Sequence, residues 1–383
     1  MSAHPKVPNY SRRIADLKAS PIREMLSVIQ KEGMISFAGG LPAAESFPDF
    51  KLEQIPLTSL QYGASEGDDF LRRQVSEELQ ALGIDCSMEQ VIILSGSQQG
   101  LDLVAKLMID EGTEVMVESP TYLAALQVFR FFGASFRTFP IADLSNIKLG
   151  SKLPAFLYSI PTFQNPSGHC YSNSERMALA KFCDDNRILL LEDDPYRDLV
   201  FDKCDRKPVV SLLKNTEWIY QGSFSKNLAP GLRLGYLAAS KELVPYLVRL
   251  KQAADLHSNR LSQWLVNQQL LSPAREQRIN DLCDTYRTKR NRFDDALHHY
   301  FGDIAIWTKP AGGLFFWLEL NRKIDTRLLL PKAIERNVIF MPGENFYADA
   351  SDGIGTMRLN FSLMDSNQTE IGLKRLSELI RLA

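Results

Sequence analysis

The feature that most constrains the fold is an alternation of short apolar runs with longer amphipathic stretches between residues 91 and 240. Such alternation is the pattern of βαβ units around a mostly parallel sheet. Several runs are apolar throughout, as expected where helices cover both faces of a sheet. The predicted strands are Val91–Leu94, Val115–Val117, Phe156–Ile160, Ile188–Leu191, Trp218–Gln221 and Leu234–Ala238, and the predicted helices between them are Gln98–Ile109, Tyr122–Phe132 and Ser174–Asp185.

The remainder of the chain predicts a smaller α+β domain. Helical periodicity dominates from residue 241 to 300, and strand patterns return at Leu314–Leu320, Val338–Phe340 and Met357–Phe361, before a closing helix near Thr369–Leu382. Because one hydrophobic core stops growing at roughly 250 to 300 residues, this α/β chain of 383 residues is expected to form two domains. We predict an N-terminal arm, helix and covering segment at 1–45, a large domain at 46–285, and a small C-terminal domain at 286–383 to which the N-terminal segment contributes.

Composition and charge exclude several classes of function. The formal net charge of −2 provides no basic surface for nucleic acid or an anionic membrane, and no run of about 18 apolar residues occurs. The five cysteines never form C-x-x-C, and the five histidines lack the i, i+4 spacing of a helical zinc site. We therefore expect a cytoplasmic protein with small-molecule partners, reduced thiols and no metal.

Two stretches suit a phosphorylated aldehyde. Ser95–Gly100 runs from a predicted strand directly into a helix, and the free backbone N–H groups at a helix start bind phosphate. An ordinary glycine-containing turn explains this stretch equally well. Gly222–Lys226 follows another strand, with two serines close before the lysine and Arg233 seven residues after it. A lone lysine is usually a surface charge, but an amine beside phosphate donors is the set that such an aldehyde requires.

Three further stretches place polar side chains at or within strands. Asn165 follows a strand and can bind a ring hydroxyl or a carboxylate, although an Asn-Pro turn is the simpler explanation. Asp193 is one of three acids that end an apolar strand, where an acid holds a protonated ring nitrogen or caps a helix, and Tyr196 follows closely. Arg358 interrupts a strand-like run, so it must pair with either an internal acid or a substrate carboxylate. In open α/β sheets, ligands collect at the carboxyl ends of strands.

Together these stretches resemble the class I aminotransferases of fold type I, which use pyridoxal 5'-phosphate. The resemblance includes Ile35–Pro42 and Ala311–Trp317, and it extends from about Arg23 to Ser362 with the motifs in the family's order. The chain is most similar to the 2-aminoadipate and kynurenine aminotransferases and to the aminotransferase-like half of MocR-type regulators. The resemblance implies a large domain with a helix-covered, mostly parallel sheet and a smaller α+β domain. It also implies transfer of the α-amino group of an amino acid to a 2-oxo acid by ping-pong chemistry through pyridoxamine phosphate.

The resemblance assigns the central catalytic roles. Lys226 would form a Schiff base with the cofactor and later move the proton of the substrate Cα. Asp193 would pair with the pyridinium nitrogen, which makes the ring an electron sink. Tyr196 and Asn165 would bind the phenolic oxygen of the ring, and Arg358 would bind the α-carboxylate of the substrate.

The resemblance also assigns the surrounding binding roles. Tyr122 would stack on the cofactor ring, and Gly40 would close over the bound substrate. Tyr62 would reach the phosphate from the neighbouring subunit, which implies a homodimer with shared active sites. The remaining phosphate ligands would be Ser97, Gln98, Ser223, Ser225 and Arg233.

Several alternatives stay open beside this interpretation. A lyase or decarboxylase would keep the same cofactor-binding residues, and a non-catalytic regulatory module would retain Lys226 without turnover. Because about 20 residues precede the first predicted helix, which begins at Pro21, a DNA-binding regulator is disfavoured. Ser223–Lys226 also matches the S-x-x-K pattern of penicillin-recognising enzymes, but neither S-D-N nor K-T-G occurs in the chain. Arg23 would either meet a second substrate carboxylate or be solvated.

Overall fold

The computed structural model describes residues 11–14 and 31–383, so the predicted helix that begins at Pro21 and its Arg23 lie outside the described residues. The described strands are β1 (Ile35–Ser36), β2 (Val91–Leu94), β3 (Glu114–Glu118), β4 (Ser135–Phe139), β5 (Phe156–Ser159), β6 (Leu189–Asp193), β7 (Trp218–Ser223), β8 (Gly235–Ala239), β9 (Ala305–Trp307), β10 (Phe315–Leu320), β11 (Val338–Ile339), β12 (Met341–Pro342) and β13 (Thr356–Asn360). The described α-helices are α1 (Asp69–Ala81), α2 (Ser97–Met108), α3 (Leu123–Phe131), α4 (Asn173–Asn186), α5 (Val244–Asp255), α6 (Arg260–Leu270), α7 (Arg275–Phe301), α8 (Thr326–Glu335) and α9 (Ser366–Leu382).

A seven-stranded sheet in the order β2-β8-β7-β6-β5-β3-β4 forms the centre of the protein. Neighbouring strands from β7 to β4 are parallel, whereas β8 runs antiparallel to both β2 and β7. The predicted α/β fold with a mostly parallel sheet is confirmed, and all the strands predicted between residues 91 and 240 belong to this sheet. The sequence-based prediction misses β4, because this edge strand is polar and mostly part-exposed and so lacks an apolar run.

Helices cover both faces of this sheet, because successive side chains of a strand point to opposite sides. In β2, Val91 and Ile93 belong to one buried cluster, and Ile92 and Leu94 belong to another. The first cluster includes apolar residues of α1, α4 and α6, and the second includes apolar residues of α2, α3 and α5. Each fully buried leucine or isoleucine contributes about 1.5–3 kcal/mol relative to its exposed state. The two layers therefore fix the strands and the loops that follow them.

A second core lies around the C-terminal strands. β12, β13, β10 and β9 form a four-stranded antiparallel sheet, and β1 pairs in parallel with β11. Apolar side chains of α7, α9 and the antiparallel sheet share one buried cluster. The predicted domain boundary at residue 285 falls inside α7, and the division into domains stays a prediction.

The topology brings the predicted functional stretches to one edge of the central sheet. β2, β5, β6 and β7 run in the same direction, because β8 is antiparallel to both β2 and β7 and the remaining pairs are parallel. Their carboxyl ends therefore lie at the same edge, which is where open α/β sheets bind ligands. β13 belongs to the other sheet, so a site that also includes Arg358 must lie where the two sheets approach each other.

Two features of other protein classes are absent from the described part of the chain. No helix among residues 11–14 and 31–383 combines the length and apolarity needed to cross a membrane. The same residues contain no group of three or more histidine, cysteine or acidic side chains placed to hold a metal ion.

Candidate active site

A cavity of about 320 Å³ lies at the carboxyl edge of the central sheet. Small-molecule sites usually measure about 300–1,000 Å³. The segment 38–41 and side chains of β10, β12 and β13 complete its wall. The sequence-predicted residues that line it are Gly40, Ser97, Gln98, Tyr122, Asn165, Asp193, Tyr196, Ser223, Ser225, Lys226, Arg233 and Arg358.

Lys226 follows the end of β7 and lines this cavity. Its Nζ donates a hydrogen bond to the backbone carbonyl of Gly40 at 2.7 Å. Burial, together with the positive charges of Arg358 and Arg233, lowers the pKa of Lys226 to about 8. A substantial fraction of this amine is therefore neutral close to physiological pH, and the neutral form is the nucleophile.

Asp193 is the last residue of β6 and is only 3% exposed. Its Oδ2 accepts a hydrogen bond from the hydroxyl of Tyr158 at 2.9 Å, whereas its buried Oδ1 has no partner among the described residues. Burial raises the pKa of Asp193 to about 7, although the hydrogen bond from Tyr158 opposes this rise. Because an unpaired buried carboxylate oxygen is unfavourable, Oδ1 is suited to a cationic N–H donor inside the cavity.

Arg358 lies in the middle of β13, buried between two aromatic rings. Its guanidinium carbon is 4.0 Å from the ring centroid of Phe315 and 4.9 Å from that of Phe346. Nη1 donates a hydrogen bond to Oδ1 of Asn165 at 2.7 Å, and Nη2 donates one to the carbonyl of Ala38 at 2.6 Å. Burial lowers the pKa of Arg358 to about 10.

Arg358 has no acidic partner in the part of the chain that the structure describes. None of the ion pairs among those residues includes it, and its buried Nε lacks a hydrogen-bond acceptor. A buried guanidinium without a counter-ion is unfavourable. Of the two explanations that the sequence leaves open, this geometry favours a substrate carboxylate over an internal salt bridge.

Asn165 connects Arg358 to Tyr196. Its Oδ1 accepts the hydrogen bond from Arg358, and its Nδ2 donates to the phenolic oxygen of Tyr196 at 3.3 Å. The turn beyond it is held by Gln164, whose Oε1 accepts the backbone N–H of Ser167 at 2.8 Å. Asn165 thus belongs to a turn, as the simpler interpretation expects, and also presents its amide to the cavity.

A second group of polar residues surrounds the start of α2. Gly96 has a φ of +83°, a conformation that favours glycine, and a Cβ there would lie 2.7 Å from Nη2 of Arg233. A Cβ on Gly235 would lie 2.8 Å from the backbone nitrogen of Ser97. The first N–H groups of a helix have no intrahelical acceptor and bind phosphate. Together with the guanidinium of Arg233, they form a cradle of donors that suits a phosphate group.

Tyr62 does not line the cavity. It is 76% exposed, and its ring contacts that of His257 with centroids 5.7 Å apart. Leu57 and Leu60, in the same segment, are 83% and 69% exposed. Several large apolar side chains exposed together are typical of an interaction surface.

Sequence reasoning misses residues that support the cavity from behind. Tyr158 holds Asp193, and a tyrosine within a buried strand is itself a signal, because its hydroxyl requires a partner. Phe315 and Phe346 enclose Arg358, but no pattern in the sequence shows that these rings face the guanidinium.

The residues present fit pyridoxal phosphate. Lys226 provides an amine for its aldehyde, the free Oδ1 of Asp193 provides an acceptor for a protonated ring nitrogen, and the start of α2 provides donors for its phosphate. Tyr122 also lines the cavity, and burial raises its pKa to about 12, so it stays a neutral ring suited to stacking.

Comparison with known proteins identifies related sequences along nearly the whole chain. The model of the aminotransferase class I and II family matches residues 43–376. The chain is 37% identical over 382 residues to the 2-aminoadipate transaminase of Thermus thermophilus, which covers 95% of this chain and 94% of that protein. It is 35% identical over 392 residues to the aromatic-amino-acid aminotransferase 1 of Thermococcus litoralis, which covers 97% of this chain and 94% of that protein.

A solved structure agrees with these relatives. The kynurenine aminotransferase of Pyrococcus horikoshii, in complex with PMP, matches this protein with a TM-score of 0.90 at 33% identity, covering 98% of this chain and 97% of that one. The family resemblance noted in the sequence, its fold and its cofactor are thereby confirmed. The chain therefore belongs to the class I and II aminotransferases and is a pyridoxal-phosphate-dependent enzyme that transfers amino groups.

Proposed function

We propose that Lys226, Asp193 and Arg358 perform the amino transfer in this enzyme. The observation that carries the proposal is their convergence on one cavity, where a partly neutral amine, an unpaired carboxylate oxygen and a guanidinium without an acidic partner lie together. When bound, pyridoxal phosphate supplies an aldehyde that condenses with amines and a ring that accepts the electron pair released at the substrate Cα.

Lys226 has two tasks in this proposal. Its amine would hold the aldehyde carbon of the cofactor. Once free, Nζ would accept the proton of the substrate Cα and deliver it to the C4′ carbon. A lowered pKa suits both tasks, because a general base works best when its pKa lies near the operating pH.

Asp193 holds the ring nitrogen in its protonated form. Its free Oδ1 accepts the N–H, while the bond from Tyr158 fixes the other oxygen. The adjacent positive charge lowers the pKa of the carboxyl and keeps it ionised. A carboxylate held in this way preserves the electron-accepting capacity of the ring throughout turnover.

Arg358 binds the α-carboxylate of the substrate. Its bonds to Asn165 and Ala38 hold the guanidinium fork in place, and the rings of Phe315 and Phe346 lie over it. A charge-assisted, bidentate bond at such a buried site orients the Cα of the substrate toward the amine of Lys226.

The remaining predicted residues hold the cofactor. Ser97, Gln98 and Arg233 surround the phosphate cradle, with Ser223 and Ser225 from the stretch that follows β7. Tyr196 and Asn165 bind the phenolic oxygen of the ring, Tyr122 stacks on the ring, and Gly40 closes over the substrate.

Two observations indicate the class of amino acid that donates the amino group: the side chains that line the cavity and the names of the relatives. Leu41, Ile160, Phe315 and Met341 line the cavity with apolar groups, which suit an aromatic or long apolar side chain of the substrate. The relatives are named for aromatic amino acids, 2-aminoadipate and kynurenine. Arg23, a candidate for reading a second carboxylate, stays a sequence-based prediction.

We also propose a homodimer in which Tyr62 completes the phosphate site of the partner subunit. The exposure of Leu57, Leu60 and Tyr62 supports this assembly, and a monomeric mass by sedimentation would contradict it. Cytoplasmic location stays a prediction of the sequence.

The experiment that tests the proposed function is a half-reaction with single amino acids. Purified enzyme is mixed with 2-aminoadipate, glutamate, aromatic or branched-chain amino acids, and conversion of its cofactor to pyridoxamine phosphate is followed by absorbance. We expect aromatic donors and 2-aminoadipate to react fastest. Release of ammonia without pyridoxamine phosphate would indicate a lyase, and an unchanged spectrum with every donor would indicate a regulatory module.

The pKa of Lys226 predicts how pH affects loading of the cofactor. Below this pKa most of the amine is charged, and the charged form cannot attack an aldehyde. The loading rate of the cofactor-free protein should therefore rise about tenfold per pH unit and level off above pH 8, far below the ordinary lysine value of 10.5. Stopped-flow absorbance with pyridoxal phosphate measures this profile. A rate that keeps rising up to the ordinary lysine value would contradict the assignment.

The hydrogen bond from Tyr158 predicts a further effect. Tyr158→Phe removes one of the donors that lower the pKa of Asp193, so the carboxylate should hold the ring nitrogen less well and kcat should fall about 10-fold. Tyr220→Phe is the matched control, because it removes a bond of 2.9 Å that Tyr220 donates to Asp194, which does not line the cavity. Equal losses in both variants would indicate a general packing effect.

A further inference from the structure

Lys251 is a buried lysine outside the active-site cavity. It lies on α5 with 0% of its surface exposed. Its Nζ donates hydrogen bonds to Oδ1 of Asp255 at 2.8 Å, to Oε1 of Gln99 at 3.1 Å and to Oγ of Ser258 at 3.0 Å. An ammonium group has three donors, so every donor is used. A charge buried with such complete pairing holds its partners in one arrangement.

The bonds of Lys251 lead to the turn that begins α2. Oε1 of Gln99 also accepts the backbone N–H of Ser95 at 2.8 Å, and Nε2 of Gln99 donates to Oδ2 of Asp255 at 2.7 Å. The hydroxyl of Ser95 donates to the same carboxylate oxygen at 2.7 Å. Lys251 and Asp255 thus hold Ser95 and Gln99, the two residues that flank Gly96–Gln98.

We propose that Lys251 and Asp255 are positioning residues for the cofactor phosphate, acting through Ser95 and Gln99. Neither of the two charged residues lines the cavity, so their effect must pass through this turn. The turn contains Gly96 in a left-handed conformation, and its N–H groups bind phosphate only while they point toward the same place. The inference rests on the proposed role of Ser97 and Gln98 as phosphate ligands.

A comparison of two ligands tests the proposal. Pyridoxal phosphate and pyridoxal, which lacks the phosphate, are titrated into the cofactor-free full chain, and binding is followed by absorbance. Lys251→Met should raise the Kd of pyridoxal phosphate about 10-fold and leave that of pyridoxal within about twofold. Inorganic phosphate should compete with pyridoxal phosphate in the wild-type protein and compete more weakly in the variant.

Two further variants keep the test decisive. Asp255→Asn removes the charge from a side chain that is 26% exposed. If Lys251→Met does not fold, this variant tests the same turn. Lys106→Met is the matched control, because Lys106 forms an i, i+4 pair with Asp102 on the surface of α2 itself, and it should change neither Kd. Equal weakening of both ligands, or an unchanged Kd for pyridoxal phosphate, would overturn the inference. A wild-type protein that binds pyridoxal as tightly as pyridoxal phosphate would instead overturn the proposed phosphate site as well.

Discussion

Replacing Lys226 with alanine is expected to lower kcat by at least about 10²–10⁴-fold, the usual contribution of a positioned general base. The true loss should be larger, because the same amine also holds the cofactor. The variant should lose the visible absorbance of lysine-bound cofactor and fail to convert amino acids in the half-reaction. Absorbance spectroscopy of the purified variant, followed by single-turnover mixing, measures both effects.

The controls for this variant address folding and charge. Lys181→Ala removes a lysine that pairs with Asp185 on the surface of α4, and it should retain full activity. The Lys226→Ala protein should keep its circular dichroism spectrum, because removing this side chain breaks one hydrogen bond and does not change the packing of the core. If the visible absorbance band persists in Lys226→Ala, another amine carries the cofactor and the assignment is wrong.

Replacing Arg358 with glutamine is expected to lower kcat/KM for amino acids by about 30-fold to several-thousand-fold, equivalent to the 2–5 kcal/mol lost when one member of a buried charge pair is removed. The loss arises because the substrate carboxylate then enters a buried site without its cationic partner. Visible absorbance should be retained, since Lys226 is intact. Steady-state kinetics with the best donor, together with a cofactor titration, separates the two effects.

Simple amines provide the sharper control for Arg358. An amine without an α-carboxylate gains nothing from the guanidinium, so its slow reaction with the enzyme should change little in Arg358→Gln. Arg381→Gln, which breaks an exposed ion pair with Asp303, should leave both substrates unaffected. A variant that loses activity equally toward amino acids and amines would show that Arg358 supports the fold and does not bind the carboxylate.

The central sheet could be predicted from sequence because its strands are apolar on both faces. β2, β5 and β6 are buried at every position, and an uninterrupted apolar run is a strong signal. β4 gave no such signal, since an edge strand meets solvent and its polar residues resemble a loop. The sequence therefore shows directly which strands are buried, and only indirectly which strands pair with each other.

The site residues that follow strands could be predicted from sequence for a related reason. Asp193 and Lys226 end or follow predicted strands, and parallel strands bring their carboxyl ends together. The aromatic enclosure of Arg358 could not be predicted, because Phe315 and Phe346 reach it through the approach of separate elements. The Lys251 network could not be predicted either, because Gln99 and Lys251 come into contact only when helices α2 and α5 pack together.

The bond between Nζ of Lys226 and the carbonyl of Gly40 has a consequence for handling the protein. It uses the amine that the cofactor needs, so loading the enzyme must break this bond to the segment 38–41. Limited digestion or hydrogen exchange in this segment can therefore report cofactor occupancy in preparations too turbid or too dilute for spectroscopy.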